Sequence, residues 1–372
     1  MENQSEIVIV GGGLAGLTSG IHLSKHGFTV TVIEKNEFPK HKVCGEYISN
    51  EVLPYCSYLE LDLEELNVTK INQLEFSIAN GTSIATKLPL GGFGISRYTL
   101  DYFLYQKAIA LGCKFIQEEV KEITFSNNRF TVFTTNQQQF NSKIVLGAFG
   151  KRSTMDITME REFIQKKSPW LAVKAHYNCD FPDDFVGLHN FYGGYCGVSK
   201  VENNQVNICY LAQYNSFKKH KNIEDFQVQV LMKNPKLKAI LEKSILLFEK
   251  PLTISQISFE TKKAVENHIL MIGDSAGLIH PLCGNGMAMA MHSAKIASEL
   301  SVALLQEKIS RADFEKDYQK KWNETFKSRI RLGKLLSKVL LRPSFSKIIM
   351  KIIVLFPFCL PLLIKKTHGK PF

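Results

Sequence analysis

Ile7-Val8-Ile9-Val10-Gly11-Gly12-Gly13-Leu14-Ala15-Gly16 sets a short apolar run directly before a G-x-G-x-x-G turn, and residues 14–26 continue with a helical pattern. Strand, glycine turn and helix in that order are the parts of a dinucleotide site. Gly11 permits the tight turn, Gly13 lets backbone approach a pyrophosphate, and Gly16 lets helix and strand pack closely. Amides at the helix start, with Leu14 and Ala15, meet the negative charge. A second apolar run, 28–33, ends at Glu34-Lys35. A carboxylate there accepts hydrogen bonds from both hydroxyls of a ribose and repels a 2′-phosphate.

A second glycine-centred segment narrows the choice of dinucleotide. Ile269-Leu270-Met271-Ile272 is followed by Gly273-Asp274-Ser275-Ala276-Gly277, then by Pro281-Leu282-Cys283-Gly284-Asn285-Gly286 and a long Ala/Met-rich helix pattern. Here the sequence resembles the FAD-dependent group that contains aromatic hydroxylases, flavin halogenases and geranylgeranyl reductases, and is closest in motif to the geranylgeranyl-reductase-like branch. The resemblance implies FAD. It assigns Asp274, beside Gly273, to the flavin's ribityl chain, and lays Pro281, Gly284 and Gly286 against the isoalloxazine, with Asn285 in the same cofactor-binding loop. The residues agree physically: Gly284 and Gly286 remove side chains where a flat ring meets backbone. A helix beginning near Met287 points its amides at the ring's N1/C2=O edge and favours the reduced, anionic flavin.

Between the two segments, Lys42-Val43-Cys44-Gly45-Glu46 resembles the cysteine-glycine loop that borders the flavin in the reductase-like branch. Cys44 is a pocket residue on that basis, either shaping the pocket or acting as a weak proton donor. Ile95-Ser96-Arg97 precedes another helix pattern and matches the group's arginine, whose guanidinium can fork onto the FAD diphosphate. In 144–153, Phe149 stands where the hydroxylases carry an aspartate that helps bind both FAD and nicotinamide, and no second G-x-G-x-x-G follows. The electron donor is left between NAD(P)H, docked transiently, and a reduced protein partner. Alternating segments from Trp170 to Tyr214 predict an antiparallel sheet facing the flavin. Within it, the 192–198 piece resembles the reductases' Y-x-W signature and marks Tyr195 as the second pocket residue, with Cys196 and Gly197 leaving the pocket wider. The halogenase W-x-W-x-I signature does not occur. His176 reads as a structural histidine on a sheet face, and His280 as a residue that turns the chain before Pro281.

Net charge is +11, which suggests nucleic acid until it is located along the chain. Residues 325–372 hold eleven Lys/Arg and no Asp or Glu, and the remaining 35 basic residues equal the 35 acidic ones. Arg331, Lys334, Lys338 and Arg342 recur at helical spacing, with leucines mostly opposite, and 348–364 is very apolar but interrupted by Lys351, Pro357 and Pro361. The pattern predicts a helical tail lying on an anionic membrane surface. A segment capping the substrate cavity is the other reading. Long aliphatic runs in place of stacking aromatics argue against nucleic acid. Eight cysteines without a C-x-x-C or metal-ligand spacing, and no charged and apolar leader before Ile7, point to a cytoplasmic protein with reduced thiols and no metal, peripheral on the inner membrane face. Oligomeric state carries no signal.

The expected fold is α/β. A Rossmann-like FAD-binding domain with a parallel sheet comprises residues 1–90, 91–160 and 261–320. An antiparallel-sheet substrate domain is inserted at 161–260, and 321–372 form the helical tail. The expected activity is FAD-dependent oxidoreduction of a hydrophobic, lipid-like or polyketide/isoprenoid-like substrate, by C=C reduction with flavin hydride. Monooxygenation through a flavin C4a-hydroperoxide and a membrane-attached flavin electron relay are the alternatives.

Overall fold

A computed structural model describes residues 3–372. Ile7–Val10, Val30–Ile33, Ile144–Gly147 and Ile269–Met271 are strands in which every residue is buried. Strands covered on both faces favour parallel pairing under flanking helices. The sheet runs Val265–Glu266, Ile269–Met271, Ile144–Gly147, Ile7–Val10, Val30–Ile33, Lys114–Ile116, and is parallel except at Val265–Glu266. Helix α1 (Leu14–Lys25) leaves the glycine turn and packs on α2 (Arg97–Ala110) and α3 (Gly286–Leu305). Alanines at 288, 294 and 297 favour helix and keep the buried face of α3 thin enough for that approach. Ser96 caps α2 by accepting from the Thr99 amide at 3.0 Å.

The second large sheet has nine strands. Trp170–Asn178, Val206–Gln213, Gly194–Lys200 and Phe185–Phe191 pair antiparallel as the alternation predicts. Phe185–Phe191 then pairs in parallel with Thr69–Ser77, which leads on to Ser83–Gly94 and Tyr47–Ser49. Residues 47–94 therefore contribute three strands to the substrate sheet, and the expectation that 1–90 belong wholly to the cofactor unit is corrected. The cause is an edge: alone, Phe185–Phe191 would expose a row of unpaired backbone groups, and its partner comes from more than a hundred residues earlier.

Helix α4 (Arg311–Leu340) runs unbroken through the boundary expected at 320. Phe314, Tyr318, Trp322 and Phe326 recur every four residues and are buried, a stripe that fixes the helix to the cofactor unit. Two shorter helices follow, α5 (Pro343–Leu355) and α6 (Cys359–Thr367), bent 115° from one another. No single helix among the described residues is long and apolar enough to cross a membrane. The tail then returns to the body, where the Phe372 amide donates to the Glu51 carbonyl at 3.1 Å and its ring stacks on His292 at 3.9 Å. All eight cysteines are free.

Candidate active site

One continuous cavity of about 650 Å³ touches both glycine segments, the 42–47 loop, the substrate sheet and the tail. Its dinucleotide end is built by the turn between Val10 and Leu14. Gly11 has φ +111°, and a β-carbon there would overlap the Ala148 carbonyl; at Gly16 it would overlap the carbonyl of Gly11. At Gly13 a β-carbon would project into open space lined by Arg97, so the missing side chain leaves room for a ligand. Glu34 sits at the same end, accepting from the Gly12 amide at 2.7 Å and the Asn36 amide at 2.9 Å. Lys35 lines the cavity too, with its ammonium 3.1 Å from Glu119. Glu118, Glu119 and Val120 close this end and were not legible as site residues, because nothing in their own sequence marks the start of an ordinary strand as a cofactor wall.

Arg97 reaches the glycine turn, but its fork is engaged within the protein: Nε and Nη2 each lie 2.7 Å from Asp101, which Lys42 also meets at 2.9 Å. Asp101 thereby aims two cations at the turn, and a diphosphate would meet their charge and not the whole fork.

At the other end Gly273, Asp274, Pro281, Gly284, Asn285, Gly286 and Met287 all border the cavity, and α3 starts at Gly286 as expected. His280 accepts from the Leu282 amide and turns the chain, its predicted part. Asn285 is fully buried; its amide donates to Glu51 at 2.7 Å while its Oδ1 has no protein partner. A buried orphan acceptor costs free energy unless a ligand fills it, and a flavin's N3–H is a donor of that kind. The open space at Gly13, the placed acid at Glu34 and the orphan at Asn285 together fit FAD.

Two fastenings of the Asp274 turn were missed. Arg161, 1% exposed, joins Asp156 at 2.8 Å, Glu266 at 2.7 Å and the Ser275 carbonyl at 3.1 Å. Lys262 donates to the carbonyls of Asp274 at 2.8 Å and Lys151 at 3.0 Å. Burial pushes the Lys262 ammonium down to about 8 from its ordinary 10.5, and nearby Asp156 and Asp274 only partly offset it. Between those two values the unfolded chain binds more protons, so stability contributed at this position rises with pH across the window. The stability advantage of wild type over Lys262→Met is expected to grow by about 3 kcal/mol between about pH 7 and pH 10. Urea unfolding at the two pH values checks this, and a pH-independent difference refutes it.

Cys44 and Tyr195 both line the cavity on the side of the substrate sheet, with Tyr195 buried and 5.7 Å from the His280 ring between centroids. Gly197 faces the same space, but Cys196 points to the opposite face of the sheet and packs with Tyr210 and Phe226. The strand's two-residue period makes this unavoidable, so of the two residues only Gly197 leaves room in the cavity. Tyr47, unmarked in the sequence reading, packs against Gly284.

His176 is structural but belongs to a charged network. The fully buried Glu46 carboxylate meets His176 Nε2 at 2.6 Å, Lys174 Nζ at 3.0 Å and the Arg97 amide at 2.9 Å. Burial raises the cost of ionising Glu46, but the His176 hydrogen bond and the charge of Lys174 outweigh it and hold the carboxyl below its ordinary range. His41 joins these two, with ligand atoms of the three within 4.8 Å. The Lys174 ammonium is already seated on the carboxylate, so the cluster has the chemistry of a closed ion-pair network that ties the 44–46 loop to the sheet.

Residues 6–45 match the FAD-dependent oxidoreductase family model. The chain is 23% identical to a digeranylgeranylglycerophospholipid reductase of Methanococcus vannielii, over 87% of this chain and 83% of that one. It is 24% identical to conditioned medium factor receptor 1 of Dictyostelium discoideum, over 92% of this chain and 72% of that one. Among solved structures the flavin-dependent brominase Bmp2 superposes with a TM-score of 0.78 at 18% identity, covering 97% of this chain and 94% of the brominase, which is a likeness of fold. With a glycine turn, a placed acid and an orphaned flavin-side acceptor around one cavity, and with these similarities, the chain is an FAD-dependent oxidoreductase.

Proposed function

We propose that the chain reduces carbon–carbon double bonds in a long, apolar substrate of lipid-like, isoprenoid or polyketide type. The observation that carries this is the cavity wall beyond the flavin loop. Leu74, Leu188, Leu336, Ile353, Leu360 and Ile364 come from distant parts of the chain and present aliphatic surface there. A hydrocarbon chain gains roughly 25 cal/mol per Å² buried against such a wall, whereas a charged aromatic acid would be desolvated without a partner.

FAD held by the glycine turn, Glu34, Asp274 and the 281–286 loop would supply the hydride. The protein's part is to present the flavin face through the 281–286 loop, to exclude water with the tail, and to hold a proton for the second half of the addition. Tyr195 presents a phenol O–H to the cavity, and burial pushes it well above its usual range. Cys44 is the other candidate donor in that space. The sequence similarity to a lipid reductase supports the same substrate class, and the halogenase tryptophan signature does not occur.

The test is anaerobic. Photoreduced holoprotein mixed with a polyprenyl lipid is expected to regain oxidised-flavin absorbance and to yield a product heavier by two hydrogens per reduced bond. Product that forms only after oxygen is admitted, and that carries an added oxygen atom, overturns the reading in favour of monooxygenation. Reoxidation by a protein acceptor and by no lipid overturns it in favour of an electron relay.

A further inference from the structure

Helices α5 and α6 are apolar on two sides, and only one side is used by the protein. Ile349 and Ile353 of α5 and Leu360, Leu363 and Ile364 of α6 face the cavity. On the outer side eight large apolar side chains between Phe345 and Leu362 are exposed, Leu355 by 72% and Phe358 by 63%. Scattered exposed leucines are ordinary, but a contiguous cluster on one short stretch marks a surface that meets something apolar. The flanking charge identifies the partner. Lys347, Lys351, Lys365 and Lys366 are all exposed, and residues 325–372 contain no acid to neutralise them. Helical spacing sets Lys347 and Lys351 beside Ile348, Ile352 and Leu355, the arrangement of a helix lying in a bilayer interface with its cations at anionic head groups.

We propose that α5 and α6 form a roof that is also a membrane foot: the inner face closes the substrate cavity, the outer face rests in an anionic phospholipid bilayer, and the substrate passes from the acyl layer into the cavity past the corner at Phe356–Phe358. The pair is held at both ends, by the continuous α4 on one side and by Phe372 on Glu51 and His292 on the other. Its inner residues are committed to the protein, so the pair seats on the membrane without spanning it. The capping and membrane readings of the tail are therefore one arrangement. Docking stands on the outer surface alone; the entry route rests on the proposed lipid substrate.

Vesicles of phosphatidylcholine with phosphatidylglycerol, and of phosphatidylcholine alone, separate the terms. Full-length holoprotein is expected to sediment with the anionic vesicles and only weakly with the neutral ones. A Leu355→Asp, Phe358→Asp double variant is expected to bind at least tenfold more weakly with unchanged flavin absorbance and unfolding midpoint, since neither side chain lines the cavity. Lys347→Glu with Lys351→Glu is expected to lose the preference for anionic vesicles. With a polyprenyl lipid embedded in the vesicles, anaerobic flavin reoxidation by the Asp variant is expected to slow at least tenfold, while the same lipid in detergent micelles reoxidises both proteins equally. Full-length protein that ignores anionic vesicles, or an Asp variant that binds them like wild type, overturns docking. Concentration-dependent dimers that the Asp variant abolishes, without vesicle binding, assign the face to a second copy and also overturn it. Equal reoxidation of both proteins in vesicles overturns the entry route, whereas no reoxidation in micelles by either protein removes the lipid-reductase reading and leaves the sedimentation result intact.

Discussion

Arg161→Ala is expected to cost about 3–5 kcal/mol of stability, the range for breaking a buried ion pair from one side. Asp156, 0% exposed, would keep its carboxylate in the interior with the Ser153 cap as its hydrogen-bond partner and Lys262 as the nearby cation. Glu266 and the carbonyls of Ser275 and Lys263 would lose their donor at the same time. Because Ser275 belongs to the Asp274 turn, flavin retention should fall with stability. Arg161→Lys keeps a charge but has one nitrogen where the guanidinium uses three, and should fall between the two. Urea unfolding and gel filtration with flavin absorbance measure both effects; a loss below about 1 kcal/mol for the alanine variant would mean that the network contributes little.

Glu46→Ala should be comparably damaging, about 3–5 kcal/mol near neutral pH, since Lys174 is fully buried and would be stranded without its counter-charge. The effect has a defined pH dependence. Glu46 is held below its ordinary range in the folded chain, so its contribution is complete above the ordinary carboxylate range and disappears as pH falls through the lowered value. Wild type and Glu46→Ala should therefore converge in acid. A difference that is the same at acid and neutral pH would show that Glu46 acts by packing and not by charge.

These two networks also show where the sequence stops being readable. The glycine turn and Glu34 were legible because they form a local pattern whose geometry is determined within a few residues, whereas Asp274 and the 281–286 loop were marked by the family resemblance. Glu46 was visible only as the end of a cysteine-glycine loop, and its partners Lys174 and His176 lie on a strand 128 residues further on. Arg161 carries no local sequence signal; its burial goes with Glu266, 105 residues away. The tail was half legible. Its charge count and apolar run describe the outer face, but a helix apolar on two sides gives no sign in the sequence that its other face, through Ile349 and Ile353, closes a cavity. The three early strands of the second sheet escaped for a similar reason, since their place is set by Phe185–Phe191 and not by their own alternation.

The interleaving of the two sheets has a kinetic consequence. The chain leaves the parallel sheet for the nine-stranded one after Ile33 and returns at Lys114; after a detour through a separate four-stranded sheet between Ile116 and Ile144 it leaves for the nine-stranded sheet again after Gly147 and returns at Val265, so neither large sheet is complete until much of the other has formed. Severing the chain between them is expected to yield no autonomous fragment, and the two sheets should unfold together, seen alike by far-ultraviolet dichroism and tryptophan emission. Pairings as distant as Ile7 with Ile144 demand early closure of long loops, so refolding should be slow and exposed to aggregation at high concentration.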